Sequence, residues 1–137
     1  MDRKGGSIIK KKVKKLSPLQ LAKQVANLAK NKKAEDILIL DVKKICSFCD
    51  YFVIISAVAD VHVKALLDYI VPTLKREYNL YPHHIEGEEN NQWVIIDYVS
   101  VVVNIMLPET RQFYALERIW SKGKKVSYER KSKKSSK

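Results

Sequence analysis

The chain has 137 residues, which fits one domain, and 46% of them are hydrophobic, which excludes a fully disordered protein. No apolar run reaches the roughly 18 residues of a membrane-spanning helix, and the N-terminus lacks the apolar stretch of a signal peptide. The net charge of +11 lies at the ends, because residues 1–15 carry seven basic residues, residues 122–137 carry eight, and residues 16–120 are slightly acidic. We therefore expect a cytosolic domain at 16–121 between two disordered basic tails, 1–15 and 122–137.

The first half of the domain is predicted to contain one helix and two strands. Ser17-Pro18 predicts a helix start, since a hydroxyl N-cap precedes proline at the first helical position. Apolar residues at helical spacing carry this helix over 18–32. Short apolar runs at 36–42 and 51–56, rich in β-branched and aromatic residues, predict buried strands.

The second half alternates between helical and extended patterns. Helical spacing predicts a helix over 60–78, with a kink or a break at Pro72 because proline lacks the N–H that the helix requires. Residues 83–86 predict a short strand. A last helix is expected over 109–120, with one apolar face formed by Phe113, Leu116 and Trp120.

Two strands at 92–98 and 100–107 predict a hairpin. Alternation places Trp93, Ile95 and Asp97 on one face of the first strand, opposite Val94, Ile96 and Tyr98. On the second strand it groups Ser100, Val102, Asn104 and Met106. An aromatic anchor beside a few polar groups is typical of a binding surface. The alternative, that Trp93 is a core residue under a helix, stays open.

The order of elements, α-β-β-α-β-β-β-α, predicts one α/β domain. Five strands with helices between them indicate a mixed five-stranded sheet flanked by helices.

Several stretches resemble a known family in the same order along the chain. They are residues 36–42, 50–54, 62–63, 86–87, 93–98, 101–103, 107–109, Arg111 and 113–120. Together they are similar to the Iojap family of ribosomal silencing factors over about residues 17–121. The chain differs from the usual family pattern at residues 56–61, at the Val99-Ser100 turn and at Asn104, where histidine is common.

The resemblance implies a nucleotidyltransferase-like sheet without working catalytic groups, and hence a protein that is not an enzyme and has no cofactor. It implies binding to large-subunit ribosomal protein fourteen, where the small subunit docks, and steric silencing of translation when nutrients are scarce. The expected contact residues are Trp93, Asp97, Tyr98, Ser100, Val102, Asn104 and Met106. Tyr98 is included by resemblance and by its place at the turn. A homodimer stays open.

Cys46 and Cys49 form a C-x-x-C motif. The spacing would suit half a zinc site or a redox pair, with His62, His83 and His84 as further ligands. A second such motif is missing, so we expect two semi-buried thiols and no metal.

Two other functions remain as alternatives. One is an RNA-binding adaptor that contacts ribosomal RNA through its lysine-rich tails. The other is a residual nucleotidyltransferase, which would need a Gly-Ser phosphate loop and metal-holding carboxylates. Gly6-Ser7 lies in a tail, and the closely spaced pair Glu86 and Glu88 lies in a turn. The sequence therefore favours a binding protein over an enzyme.

Overall fold

The computed structural model describes residues 15–115, 118 and 121–128. The helices are α1 (Pro18–Asn31), α2 (Asp60–Tyr78) and α3 (Pro108–Tyr114). The strands are β1 (Glu35–Asp41), β2 (Tyr51–Ser56), β3 (His84–Glu86), β4 (Trp93–Asp97), β5 (Val101–Met106) and β6 (Lys124–Val126). Residues 1–14 and 129–137, which make up most of the two predicted tails, lie outside the described residues.

The six strands form one mixed sheet in the order β3-β4-β5-β2-β1-β6. Strands β2 and β5 are parallel, and the other neighbours are antiparallel. The predicted α/β class and all five predicted strands are confirmed. The sixth strand, β6, was not predicted.

Side-chain capping starts helix α1, and packing against the core keeps helix α2 continuous. At the start of α1, the Ser17 hydroxyl accepts from the backbone N–H of Gln20, and the Gln20 side chain accepts from the N–H of Ser17. Of the kink or break predicted at Pro72, the break is wrong, because α2 runs through Pro72 as one helix, and the kink stays a prediction. Ile70 and Leu74, on either side of the proline, are fully buried, so packing holds both halves in one helix. None of the described helices is long and apolar enough to cross a lipid bilayer.

One face of the sheet is covered by α1 and α2, and we call it the helix-covered face. Its strand residues are every second residue of β2, β4 and β5, as expected for a pleated sheet. They include Val53, Ile55, Val94, Ile96, Val103 and Ile105, all fully buried against the two helices.

Helix α3 is shorter than predicted. It ends at Tyr114, because Ala115 has a left-handed backbone with φ of 50°. The prediction that Phe113 lies on an apolar helix face is wrong in that Phe113 is 79% exposed. Leu116 and Trp120, the other members of that face, lie outside the described residues.

Strand β6 corrects the predicted end of the domain. Its residues lie within the predicted tail 122–137, yet Val126 pairs with Ile39 and Lys124 pairs with Asp41 in an antiparallel register. Tyr128 packs against the core, and its carbonyl accepts from the Asn27 side chain. The folded domain therefore extends to Tyr128 instead of ending at residue 121.

Candidate functional site: the second face of the sheet

The face of the sheet opposite α1 and α2, which we call the second face, has a smaller core. Its buried residues are Leu40, Val42, Cys49, Phe52, Ile54, Val102 and Met106. Trp93 and Ile95 pack against them and are half-buried. Because alternate residues of one strand point to opposite faces, this cluster uses the same strands as the helix-covered face.

The hairpin of β4 and β5 brings most of the predicted contact residues together on the second face. In its register Trp93 lies opposite Met106, and Asp97 lies opposite Val102. Asn104 pairs with Ile95 between these two pairs. The predicted alternation is thus confirmed for β4 and for Val102, Asn104 and Met106 of β5, and five of the seven predicted contact residues lie on one face of the sheet.

Asn104 fixes the orientation of Trp93. The indole Nε1–H of Trp93 donates to Asn104 Oδ1 over 2.9 Å, and Asn104 Nδ2 donates to the Val53 carbonyl over 3.4 Å. Asn104 is 1% exposed, so it supports the surface from beneath. Val102 and Met106 are buried as well. Of the five predicted contact residues on the second face, Trp93 and Asp97 are therefore the two that are half-exposed.

The remaining two predicted contact residues lie elsewhere. Tyr98 is 6% exposed and belongs to the helix-covered core, so the structure does not bring it to the second face. Burial raises the pKa of its phenol, and its hydroxyl has no hydrogen-bond partner among the described residues. Ser100 lies in the hairpin turn, where its carbonyl accepts from the backbone N–H groups of Asp50 and Tyr51.

Two aromatic side chains at the end of α3 extend the second face. The Tyr114 ring lies 4.9 Å from that of Trp93, and the Phe113 ring meets Tyr114 edge to face at 4.9 Å. Phe113 and Tyr114 are both exposed. Sequence reasoning missed them as surface residues, because an aromatic at helical spacing normally indicates a buried helix face.

Arg111 ties α3 to the sheet. Its guanidinium donates to the Ser56 hydroxyl over 2.8 Å and to the Asp36 carbonyl over 2.5 Å. The side chain is 8% exposed, which is unusual for a charged residue and requires such hydrogen bonds. The position of the aromatic pair thus depends on this buried contact.

The two cysteines lie in the loop that joins β1 to β2. Their Sγ atoms are 3.5 Å apart, and Cys49 belongs to the buried cluster of the second face. Burial, reinforced by the contact with Cys46, raises the pKa of the Cys49 thiol to about 12. Cys49 is therefore protonated at neutral pH and is a poor nucleophile in that form. The described residues contain no group of three His, Cys, Asp or Glu side chains that could hold a metal ion.

His62 and His84 lie in different parts of the fold, and each has its own structural contact. His62 Nδ1 accepts from the N–H of Val58 over 2.9 Å, so its Nε2 is the nitrogen that donates to the Lys32 carbonyl at 2.7 Å. This side chain joins the end of α1 to the start of α2. His84 contacts Glu86 on the exposed edge strand β3.

Comparison with known proteins agrees with the fold and the sequence resemblance. Residues 15–137 match the family described as "ribosomal silencing factor during starvation". The chain is 34% identical over 99 residues to the mouse protein "mitochondrial assembly of ribosomal large subunit protein 1", covering 71% of this chain and 43% of the mouse protein. It therefore spans less than half the length of that relative.

A bacterial relative and a solved structure match over nearly their whole length. The chain is 29% identical over 114 residues to ribosomal silencing factor RsfS of Halalkalibacterium halodurans, covering 83% of this chain and 97% of the relative. A crystal structure of a Chromobacterium violaceum protein is similar with a TM-score of 0.74 and 28% identity, covering 87% of this chain and 98% of the other. Relatives in Chromobacterium violaceum and Bacillus subtilis carry the same name, ribosomal silencing factor RsfS. The chain belongs to the Iojap family of ribosomal silencing factors.

Proposed function

We propose that this protein binds the large ribosomal subunit through the second face of its sheet and, once bound, keeps the small subunit from joining. The expected partner is large-subunit ribosomal protein fourteen. The family's description and the names of the relatives support a ribosomal role. Steric overlap needs no catalytic group, so a rigid binding surface is sufficient for the proposed mechanism.

The observation that carries this proposal is the aromatic surface formed by Trp93, Tyr114 and Phe113. Trp93 is held by a hydrogen bond to a buried asparagine, while Phe113 is 79% exposed. A fixed aromatic side chain loses little conformational entropy on binding, and aromatic residues are enriched among those that dominate binding energy. Asp97, at the other end of the hairpin, adds a negative charge that would suit a basic ribosomal protein.

The test is binding to isolated large subunits by sedimentation. Phe113→Ala removes an exposed ring with little effect on the core, so the folded protein should bind about 30-fold more weakly if the ring contributes about 2 kcal/mol. Tyr81→Ala is the matched control, because Tyr81 is also exposed, at 58%, but follows α2. The control should bind normally.

A second variant tests the charge of the surface. Asp97→Lys should also weaken large-subunit binding, because it would present the wrong sign to a basic partner. Both variants should lose the ability to prevent subunit joining in proportion to their lost binding. Two results together would contradict this proposal: the folded Phe113→Ala/Asp97→Lys protein binds large subunits normally, and removal of residues 1–14 and 129–137 abolishes binding. The RNA-adaptor alternative would then replace it.

A further inference from the structure

Four lysines from distant parts of the sequence meet where β1 ends and β6 begins. Lys43, Lys44, Lys122 and Lys124 line a small cavity of about 70 Å³, together with Asp41 and Ile45. The antiparallel pairing of β1 with β6, which places Lys124 opposite Asp41, creates this cluster. We call the four lysines the lysine patch.

The charge of the lysine patch is only partly balanced. Lys43 Nζ lies 3.0 Å from Asp41 Oδ2, and hydrogen bonds from Lys43 lower the pKa of the Asp41 carboxyl. Lys44, Lys122 and Lys124 are exposed and form no ion pair within the described residues. The cavity rim therefore carries four positive charges and one negative charge. Such an excess attracts anions and would be stabilised by one.

The shape and chemistry of the patch favour phosphate. A cavity of about 70 Å³ is well below the roughly 300 Å³ of typical small-molecule pockets, so it does not fit a cofactor or a nucleotide. Its lining contains no aromatic ring on which a base could stack. Lysine ammonium groups act as point charges toward phosphate, and lysine is depleted at protein–protein interfaces. Nucleic acid is therefore a better match than an acidic protein.

One further lysine lies at the same edge of the sheet. Lys125, the next residue of β6, lines a larger cavity of about 520 Å³, and strand alternation turns its side chain to the face opposite that of Lys124. A long polyanion that lies along this edge could contact cations on both faces.

We propose that the lysine patch binds the phosphate backbone of double-helical RNA, the nucleic acid of the ribosome for which the family is named, without reading its sequence. This site lies on the folded domain, at the β6 edge of the sheet. It is separate from the hairpin surface of the proposed function and does not depend on that function being correct. Binding by the patch would add a salt-dependent attraction to any contact that the second face makes.

The test uses the full chain and a short RNA duplex, with dissociation constants measured over a range of salt concentrations. The triple variant Lys44→Gln/Lys122→Gln/Lys124→Gln removes three charges from the patch. The matched control, Lys33→Gln/Lys64→Gln/Lys75→Gln, removes three charges from exposed positions elsewhere. Thermal unfolding establishes that both variants are folded.

The patch variant should bind RNA about tenfold more weakly near 0.1 M salt. The magnitude of the slope of log K against log salt concentration should fall by about 2 to 3, because each lost phosphate contact contributes about 0.7–0.9. The control should change the slope by less than about 1. Equal losses in both variants, or an unchanged slope in the patch variant, would overturn the proposal. So would a patch variant that keeps RNA binding but loses binding to acidic lipid vesicles or polyglutamate.

The Phe113→Ala variant separates this inference from the proposed function. It should bind the RNA duplex normally, whether or not it binds large subunits. Loss of RNA binding in a folded Phe113→Ala protein would contradict a site at the β6 edge.

Discussion

The two faces of the sheet share the same strands but have different compositions. Among the described residues, the helix-covered face belongs to a cluster of 22 buried hydrophobic residues, and the second face belongs to a cluster of seven. The second face instead contains polar groups in structural positions, such as Asn104 and Arg111, and an exposed aromatic pair. Most of the stability is therefore expected from one face, which leaves the other able to hold side chains for contact with a partner.

Neighbouring valines on β5 give the strongest test of this comparison. Val103 is fully buried on the helix-covered face, and Val102 is 9% exposed on the second face. Val103→Ala should lower the free energy of unfolding by about 2 to 3 kcal/mol, from two lost methyl groups and the cavity they leave. Val102→Ala should cost about 1 to 2 kcal/mol, because its site is less enclosed. Denaturant unfolding measures both.

The same pair of valines separates stability from binding. Val102→Ala should weaken large-subunit binding at temperatures where the variant is folded, and Val103→Ala should not. If Val103→Ala costs no more stability than Val102→Ala, or if the two weaken binding equally, the assignment of different roles to the two faces is wrong.

Asn104→Leu gives the next largest effect. It leaves the Trp93 Nε1–H without its acceptor and should lower stability by about 1 to 3 kcal/mol. The indole N–H resonance of Trp93 should shift in the NMR spectrum. Asn31→Leu, at the exposed end of α1, is the matched control and should change stability by less than about 0.5 kcal/mol. An unchanged indole resonance in Asn104→Leu would show that the asparagine does not position Trp93.

Tyr98→Phe should have the smallest effect. The buried Tyr98 hydroxyl has no partner among the described residues, so its removal should leave stability unchanged or raise it by up to about 1 kcal/mol. Large-subunit binding should be unaffected, because the side chain faces α1 and α2. A loss of binding in the folded variant would restore Tyr98 to the contact surface that the family resemblance implies.

Periodicity predicted most of the fold because burial imposes it. The apolar runs of β1 and β2 and the helical spacing of α2 reflect packing against a core, so they are visible in the sequence. Strand β6 has no such signal, since it is Lys-Lys-Val and depends on pairing with a distant strand. The end of α3 was also hidden, because the residue with the left-handed backbone is alanine and not glycine.

The sequence predicted which face of the sheet most site residues lie on, but it did not predict how deeply each residue is buried. Alternation grouped Trp93 with Asp97 on β4, and Ser100, Val102, Asn104 and Met106 on the next strand. The register confirms this grouping for all of them except Ser100, which lies in the turn. Alternation could not show that Asn104 is buried, since asparagine in a strand usually indicates an exposed position. Their role as partner contacts stays a prediction.

The two edges of the sheet have a consequence for solubility. Strands β3 and β6 are each three residues long, and both carry exposed charged side chains: Glu86 on one edge, and Lys124 and Lys125 on the other. An edge strand offers unpaired backbone groups to any other extended chain, and short, charged edges discourage that pairing. The lysines of β6 would thus protect the protein from aggregation as well as attract phosphate. Replacing them with valine or isoleucine would turn this edge into a template for strand addition.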